Sequence, residues 1–173
     1  MRDFDETGLK LCRMQAEIFK ESASKENCSS AIFIRRFMYS EVAHRMDLDG
    51  FLFEACDANR IFEEISEEFG KSAYGKEKYT EPELYWIGYI YRYWSFTHQK
   101  TSRQIYKIIK PKELRSLYFP YHSLDPAQAI ERVEEAKGIG ERNMTEKGVE
   151  IMRNILSKNE GGSSVNHLTS DNQ

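Results

Sequence analysis

Along most of the chain, apolar positions recur at spacings of three and four, the period of helices buried on one side. The pattern is strongest from Thr80 to His98, TEPELYWIGYIYRYWSFTH, which holds both tryptophans and four of the ten tyrosines. Leu84, Ile87, Tyr91 and Trp94 fall on one stripe, and Trp86, Ile90, Tyr93 and Thr97 on a second beside it. Apolar surface therefore wraps most of the circumference, which marks a central core helix. Thr80 is its natural N-cap, followed by Glu81, Pro82 and Glu83, residues suited to a first turn with spare N–H groups and a positive end.

Around this helix the pattern places several others. Residues 5–22 form an amphipathic helix with Leu9, Cys12, Gln15, Ala16 and Phe19 on one face, and the polar link Glu21 to Asn27 leaves it separable from the rest. A second helix, capped by Ser29 or Ser30, runs through AIFIRRFMYSEVAHRM to Met46, with Phe33, Phe37, Ser40 or Glu41, and His44 inward beside Ile34, Met38 and Val42. Asp57 caps a third, with Ile61, Phe62, Ile65 and Phe69 inward and Gly70 as its stop. Beyond the aromatic helix, SRQIYKII is followed by Pro111 and then KELRSLYF, which Pro120 ends. Asp125 and Pro126 open a helix that Gly138 closes, and a last helix spans about Met144 to Leu156. The expected fold is all-α, a single compact multi-helix domain around one central aromatic-rich helix. Its parts are an N-terminal helix and link (1–27), the helical core (28–139), a C-terminal helix (140–158) and a disordered tail (159–173).

At 173 residues the chain is long enough for one domain with a sizeable core. Its net charge of −3 gives no global attraction to nucleic acid or anionic lipid, so any such binding needs a local patch. Three cysteines, Cys12, Cys28 and Cys56, show no C-x-x-C spacing, which argues against a disulfide framework or a zinc site and fits a reducing cytoplasm. No secretory leader is readable at the start, and charges interrupt the aromatic helix, so no membrane role is expected.

One local patch exists. Between His98 and Pro120, six lysines and arginines face only Glu113. The segment reads as helix, turn, helix, so a DNA reader would place Lys112, Arg115 and Ser116 in the major groove with Arg103 and Lys107 on phosphate. The plainer reading is a basic, partner-facing surface. Tyr89 and Tyr93, one turn apart with Tyr85 before them, offer the amphipathic rings from which protein interfaces are made. At least one of the arginines inside apolar helices, Arg35, Arg36 and Arg92, is expected to be drawn against carboxylates or tyrosine faces, in an internal pair with the acids from Glu63 to Glu68 or else in an anion pocket lined by arginine and tyrosine.

Other chemistry is thin. The histidines His44, His98, His122 and His167 are isolated, with no His-x-x-x-His pair. Asp47-Leu48-Asp49-Gly50 is a turn whose twelfth position, Ala58, cannot complete a calcium loop. Gly70-Lys71-Ser72 lacks the earlier glycine and preceding strand of a phosphate-binding loop. His122, Ser123 and Asp125 are too close in sequence for a nucleophilic triad. No cofactor, metal or catalytic constellation is expected, and a non-enzyme is the reading.

The segments CSSAIFIRRFMYSEVAHRMD, EISEEFG, YWIGYIYRYW and SRQIYKIIKPKELRSLYFPYHSLDPAQAIERV resemble a family of small proteins from anaerobic gut-type Firmicutes, and the resemblance covers most of residues 12–137. Its members look like the antitoxin-side partners of cassettes that also encode a protein similar to ADP-ribosyltransferases. The resemblance implies a cytoplasmic helical protein-binding module that neutralises or accompanies a neighbouring toxin-like protein. Arg103, Lys107, Lys112, Arg115, Tyr89 and Tyr93 are the expected contacts, and a helix-turn-helix-type DNA-binding regulator is the alternative.

Overall fold

The structure is a computed structural model that describes residues 1–160, apart from the side chains of 141–143, 159 and 160. Among the described residues every regular element is helical, with ten α-helices and one short 3-10 turn at Phe53–Ala55. The chain divides into two compact units, Met1–Ile130 and Glu131–Gln173. The first is an all-α domain organised around α5 (Glu81–His98), the expected aromatic helix. Leu84, Ile87, Ile90, Tyr91 and Trp94 are buried there, while Tyr85, Trp86, Tyr89 and Tyr93 are only half-buried. Thr80 caps it, its Oγ1 accepting from the Glu83 N–H at 3.4 Å, and Gln99 closes it in the left-handed region at φ 51°.

The N-terminal helix α1 (Glu6–Lys25) forms the most extensive helix pair of the domain with α5. Leu11, Cys12, Gln15, Ala16, Ile18 and Phe19 are all buried in its inner face. Each large apolar side chain so removed from water contributes about 1.5–3 kcal/mol. Gly88 sets the closeness of approach: a Cβ at that position would stand 2.9 Å from the Gln15 carbonyl oxygen and 3.0 Å from the Ala16 Cα. A glycine that costs helix propensity in mid-helix is thus exchanged for backbone contact between the two central helices.

The single helix expected from residue 31 to Met46 is two, α2 (Ser30–Tyr39) and α3 (Glu41–Asp47). Ser40 breaks it: its backbone is extended, and its Oγ accepts the Ala43 N–H at 3.1 Å as the N-cap of α3. Re-aiming the chain there leaves His44 exposed, contrary to expectation, while Val42 and Met46 stay in the core. In α4 (Ala58–Phe69) the expected Asp57 cap and Gly70 stop are present, the latter at φ 78°. Phe69, expected inward, is the last residue of α4 and is exposed, with the Arg36 guanidinium 5.8 Å from its ring.

The segment after α4 runs back over the start of α2. There the carbonyls of Tyr74 and Glu77 accept from the Ser29 and Ser30 N–H groups at 3.0 Å each, satisfying donors that a helix start leaves open. Next come α6 (Ser102–Ile108), α7 (Pro111–Ser116) and α8 (Tyr118–Tyr121). Pro120 sits inside α8 and does not end the preceding helix, since Leu117 already turns the chain. Asp125 opens α9 (Pro126–Ala136) as expected, with Oδ1 accepting from the Ala127 N–H at 2.9 Å.

In the second unit, α10 (Ile139–Glu160) is longer at both ends than the helix expected from Met144 to Leu156. The tail expected to be disordered lies, from residue 161 on, outside the described residues.

Candidate functional site

The most elaborate constellation is a buried polar hub beneath the C-terminal half of α5. Arg92 is 1% exposed, and all three of its guanidinium nitrogens are engaged. Nε donates to Gln15 Oε1 at 2.8 Å, Nη1 to Asp47 Oδ1 at 2.7 Å and Nη2 to Ser102 Oγ at 2.9 Å. Ser102 closes a ring, its hydroxyl donating to Asp47 Oδ1 at 2.6 Å and its backbone N–H to Oδ2 at 2.9 Å. The Gln15 amide in turn donates to the Gly88 carbonyl at 3.1 Å. One residue each from α1, α3, α5 and α6 is fixed in register by this hub.

The acids at 63–68 therefore do not hold Arg92, contrary to expectation. Glu64 is taken by Arg45 and Arg60, and Glu68 accepts from the Glu41 N–H. The Arg45 hydrogen bond holds the Glu64 carboxyl below its ordinary value against an opposing contribution from burial. Arg36 donates to the Gly70 carbonyl. With each nitrogen of Arg92 held by a different helix, the hub works as a clamp that ties α1, α3 and α6 to α5. A cavity of about 570 Å³ opens above it, lined by Asp47, Asp49, His44, Lys100 and Arg2 among others. Arg2 spans its rim, paired with Asp49 at 2.9 Å and lying 4.0 Å from the Phe96 ring.

The basic segment resolves into two sets. On α6, Arg103 donates to the Tyr39 carbonyl at 3.0 Å and lies 5.4 Å from the Tyr39 ring. Tyr39 meets Tyr106 edge to face, and Lys110 stands 4.3 Å from the Tyr106 ring. Lys107 is exposed on the same short helix, and Lys112 is exposed in the first turn of α7. Arg115 belongs elsewhere, bound through Nε to Glu83 and through Nη1 to Glu77 at 2.7 Å, with the Tyr79 ring 4.3 Å beneath. Two carboxylates hold it, and α7 is six residues long, which limits what that helix can present to a groove.

Tyr89 and Tyr93 stack with centroids 6.4 Å apart, and Phe4 covers part of Tyr93 at 4.5 Å. Burial, with Cys12 and Tyr85 nearby, pushes the Tyr89 phenol up to about 12. Tyr89 also lines a second cavity of about 510 Å³, together with Tyr85, Trp86, Pro82, Tyr118 and His122. Glu17, Lys20 and Glu81 stand among its lining residues.

In the second unit, α10 carries Met144, Val149, Ile151, Met152, Ile155 and Leu156, each between 45% and 76% exposed. These apolar positions, at the spacing that predicts the last helix, are open to solvent. Among the described residues no group of three His, Cys, Asp or Glu side chains is placed to hold a metal ion, and no helix is long and apolar enough to cross a membrane. No protein-family model matches the chain, and no curated protein or solved structure matches it.

Proposed function

We propose that the protein is a non-enzymatic helical binding module, an antitoxin-like partner that neutralises or accompanies the toxin-like protein encoded beside it in the cytoplasm. The observation that carries this reading is the open apolar face of α10. Val149, Met152 and Leu156 follow i, i+3, i+7, and Ile151 and Ile155 lie one turn apart beside them. This is the anchor pattern with which an amphipathic helix fills a hydrophobic groove of another protein. From Met144 to Leu156 the face is about 18 Å long at the rise of an α-helix. On the first unit, the exposed cations Arg103, Lys107 and Lys112 and the tyrosine edge at Tyr89 and Tyr93 offer separate contacts of the polar and amphipathic kind found in protein interfaces.

Co-expression tests it. The tagged full chain should form a complex with the neighbouring toxin-like protein and restore growth, and Met152→Lys with Ile155→Lys should abolish both while leaving the fold intact. A chain that neither binds nor rescues removes the reading. If instead the chain retains its own operator DNA in a salt-sensitive manner that Arg103→Ala and Lys107→Ala together weaken, the regulator alternative replaces it.

A further inference from the structure

The cavity between α1, α5 and α8 has the chemistry of a cation box. We infer that it binds a methylated ammonium cation, either as a small free molecule or as the side chain of a methylated lysine. Four half-buried aromatic rings line it: Tyr85, Trp86 and Tyr89 from α5 and Tyr118 from α8. Trp86 and Tyr118 meet at 75° with centroids 5.8 Å apart, so two of the walls form a corner. Tyr85 and Tyr89 lie one helical turn apart along α5 and extend the aromatic lining. The Tyr118 ring is held in place by His122, stacked on it at 4.5 Å and 20°. His122 is itself fixed, with Nδ1 2.8 Å from the Tyr118 carbonyl oxygen.

Aromatic faces carry negative quadrupole charge and attract a cation that has been stripped of water, most strongly in the case of Trp. The formal charges around the cavity agree in sign. Glu17 and Glu81 contribute two carboxylates against the single ammonium of Lys20, which pairs with Glu17 at 4.0 Å. Glu81 is exposed in the first turn of α5. A methylated ammonium fits both features: its methyl groups suit the apolar walls, and its diffuse charge is cheaper to desolvate than a primary ammonium. The remaining tryptophan, Trp94, is fully buried in the core, so fluorescence changes on binding report on Trp86.

The full-length protein is titrated with choline and with its neutral isostere 3,3-dimethyl-1-butanol, following tryptophan fluorescence and heat. A lysine peptide, unmodified or trimethylated, provides the second arm. The inference predicts saturable choline binding, with the neutral isostere at least about fivefold weaker. Trp86→Leu and Tyr118→Leu should each remove choline binding. Glu81→Gln should weaken choline binding severalfold while leaving the isostere unchanged, and it decides the matter if the aromatic variants do not fold. Trimethylated peptide binding tenfold tighter than choline assigns the site to a protein side chain; choline binding as tightly or more tightly assigns it to a small molecule. Absent saturation by both choline and the trimethylated peptide, equal affinity for the isostere, or wild-type choline binding in the folded variants would overturn the inference.

Discussion

The Arg92–Asp47 clamp makes the sharpest stability prediction, because both side chains are withdrawn from water, at 1% and 6% exposure. Replacing Asp47 by Ala strands the guanidinium with only Gln15 and Ser102, and it also removes the acceptor of the Ser102 N–H. Breaking a buried pair from one side costs about 3–5 kcal/mol, a large part of the roughly 5–15 kcal/mol that holds a domain together. Arg92→Met leaves Asp47 its Ser102 donors and orphans Gln15 Oε1, so its cost should be smaller, about 2–3 kcal/mol. The double variant should be less destabilised than the sum of the singles by about 1–3 kcal/mol, because no charge is then left alone. Urea unfolding of all four proteins gives the cycle, and the melting temperature of Asp47→Ala should fall by on the order of 10–20 °C. An Asp47→Ala protein within about 1 kcal/mol of wild type, or strictly additive variants, would refute the account of the hub.

Other outcomes follow from single positions. Gly88→Ala should destabilise by about 1–3 kcal/mol despite its better helix propensity, since the new methyl meets the α1 backbone; an unchanged denaturation midpoint would mean that the two helices can separate freely. Ser40→Ala should cost about 1 kcal/mol through loss of the α3 cap, read from the same unfolding curves. Burial pushes the Cys12 thiol up from 9.0 to about 12, so the folded protein keeps its proton where the unfolded chain loses it. That stability is complete below pH 9 and is lost as pH rises toward about 12, and Tyr89 adds to the decline from about pH 10. Alkaline unfolding titrations of wild type and Cys12→Ala should differ in slope across that window. In native protein at pH 8, half-buried Cys56 should react with a thiol reagent well before buried Cys12 and Cys28.

Local grammar made much of the fold legible. Thr80 with Pro82, Asp57 with Gly70, and Asp125 with Pro126 each state a helix boundary within a few residues of chain, and each boundary is found where that grammar puts it. At Ser40 a cap signal was present, Ser followed by Glu, but the unbroken helical period of Phe33, Phe37, Met38 and Val42 on either side concealed it. Tertiary convergence was not legible. Arg92 finds Asp47 across 45 residues and Gln15 across 77. Of the acids from Glu63 to Glu68, Glu64 pairs with Arg60 at i,i+4, which the spacing makes legible, but its pairing with Arg45 across 19 residues was not. Gly88 was a readable clue, since a glycine inside so apolar a helix implies close backbone approach. The same limit applies to the cavity: Tyr85 and Tyr89 were visible as part of an aromatic edge, whereas Trp86 was read as a core position and Tyr118 and Glu17 reach the cavity from other helices.

The most direct test of the binding-module reading is to co-express the tagged chain with the toxin-like protein of the neighbouring gene and to measure complex formation and growth together. The account predicts a stoichiometric complex and restored growth for wild type, with both lost in the Met152→Lys, Ile155→Lys variant, which keeps its helical circular dichroism. No complex and no rescue with the wild-type chain, or undiminished binding and rescue by the variant, would contradict it.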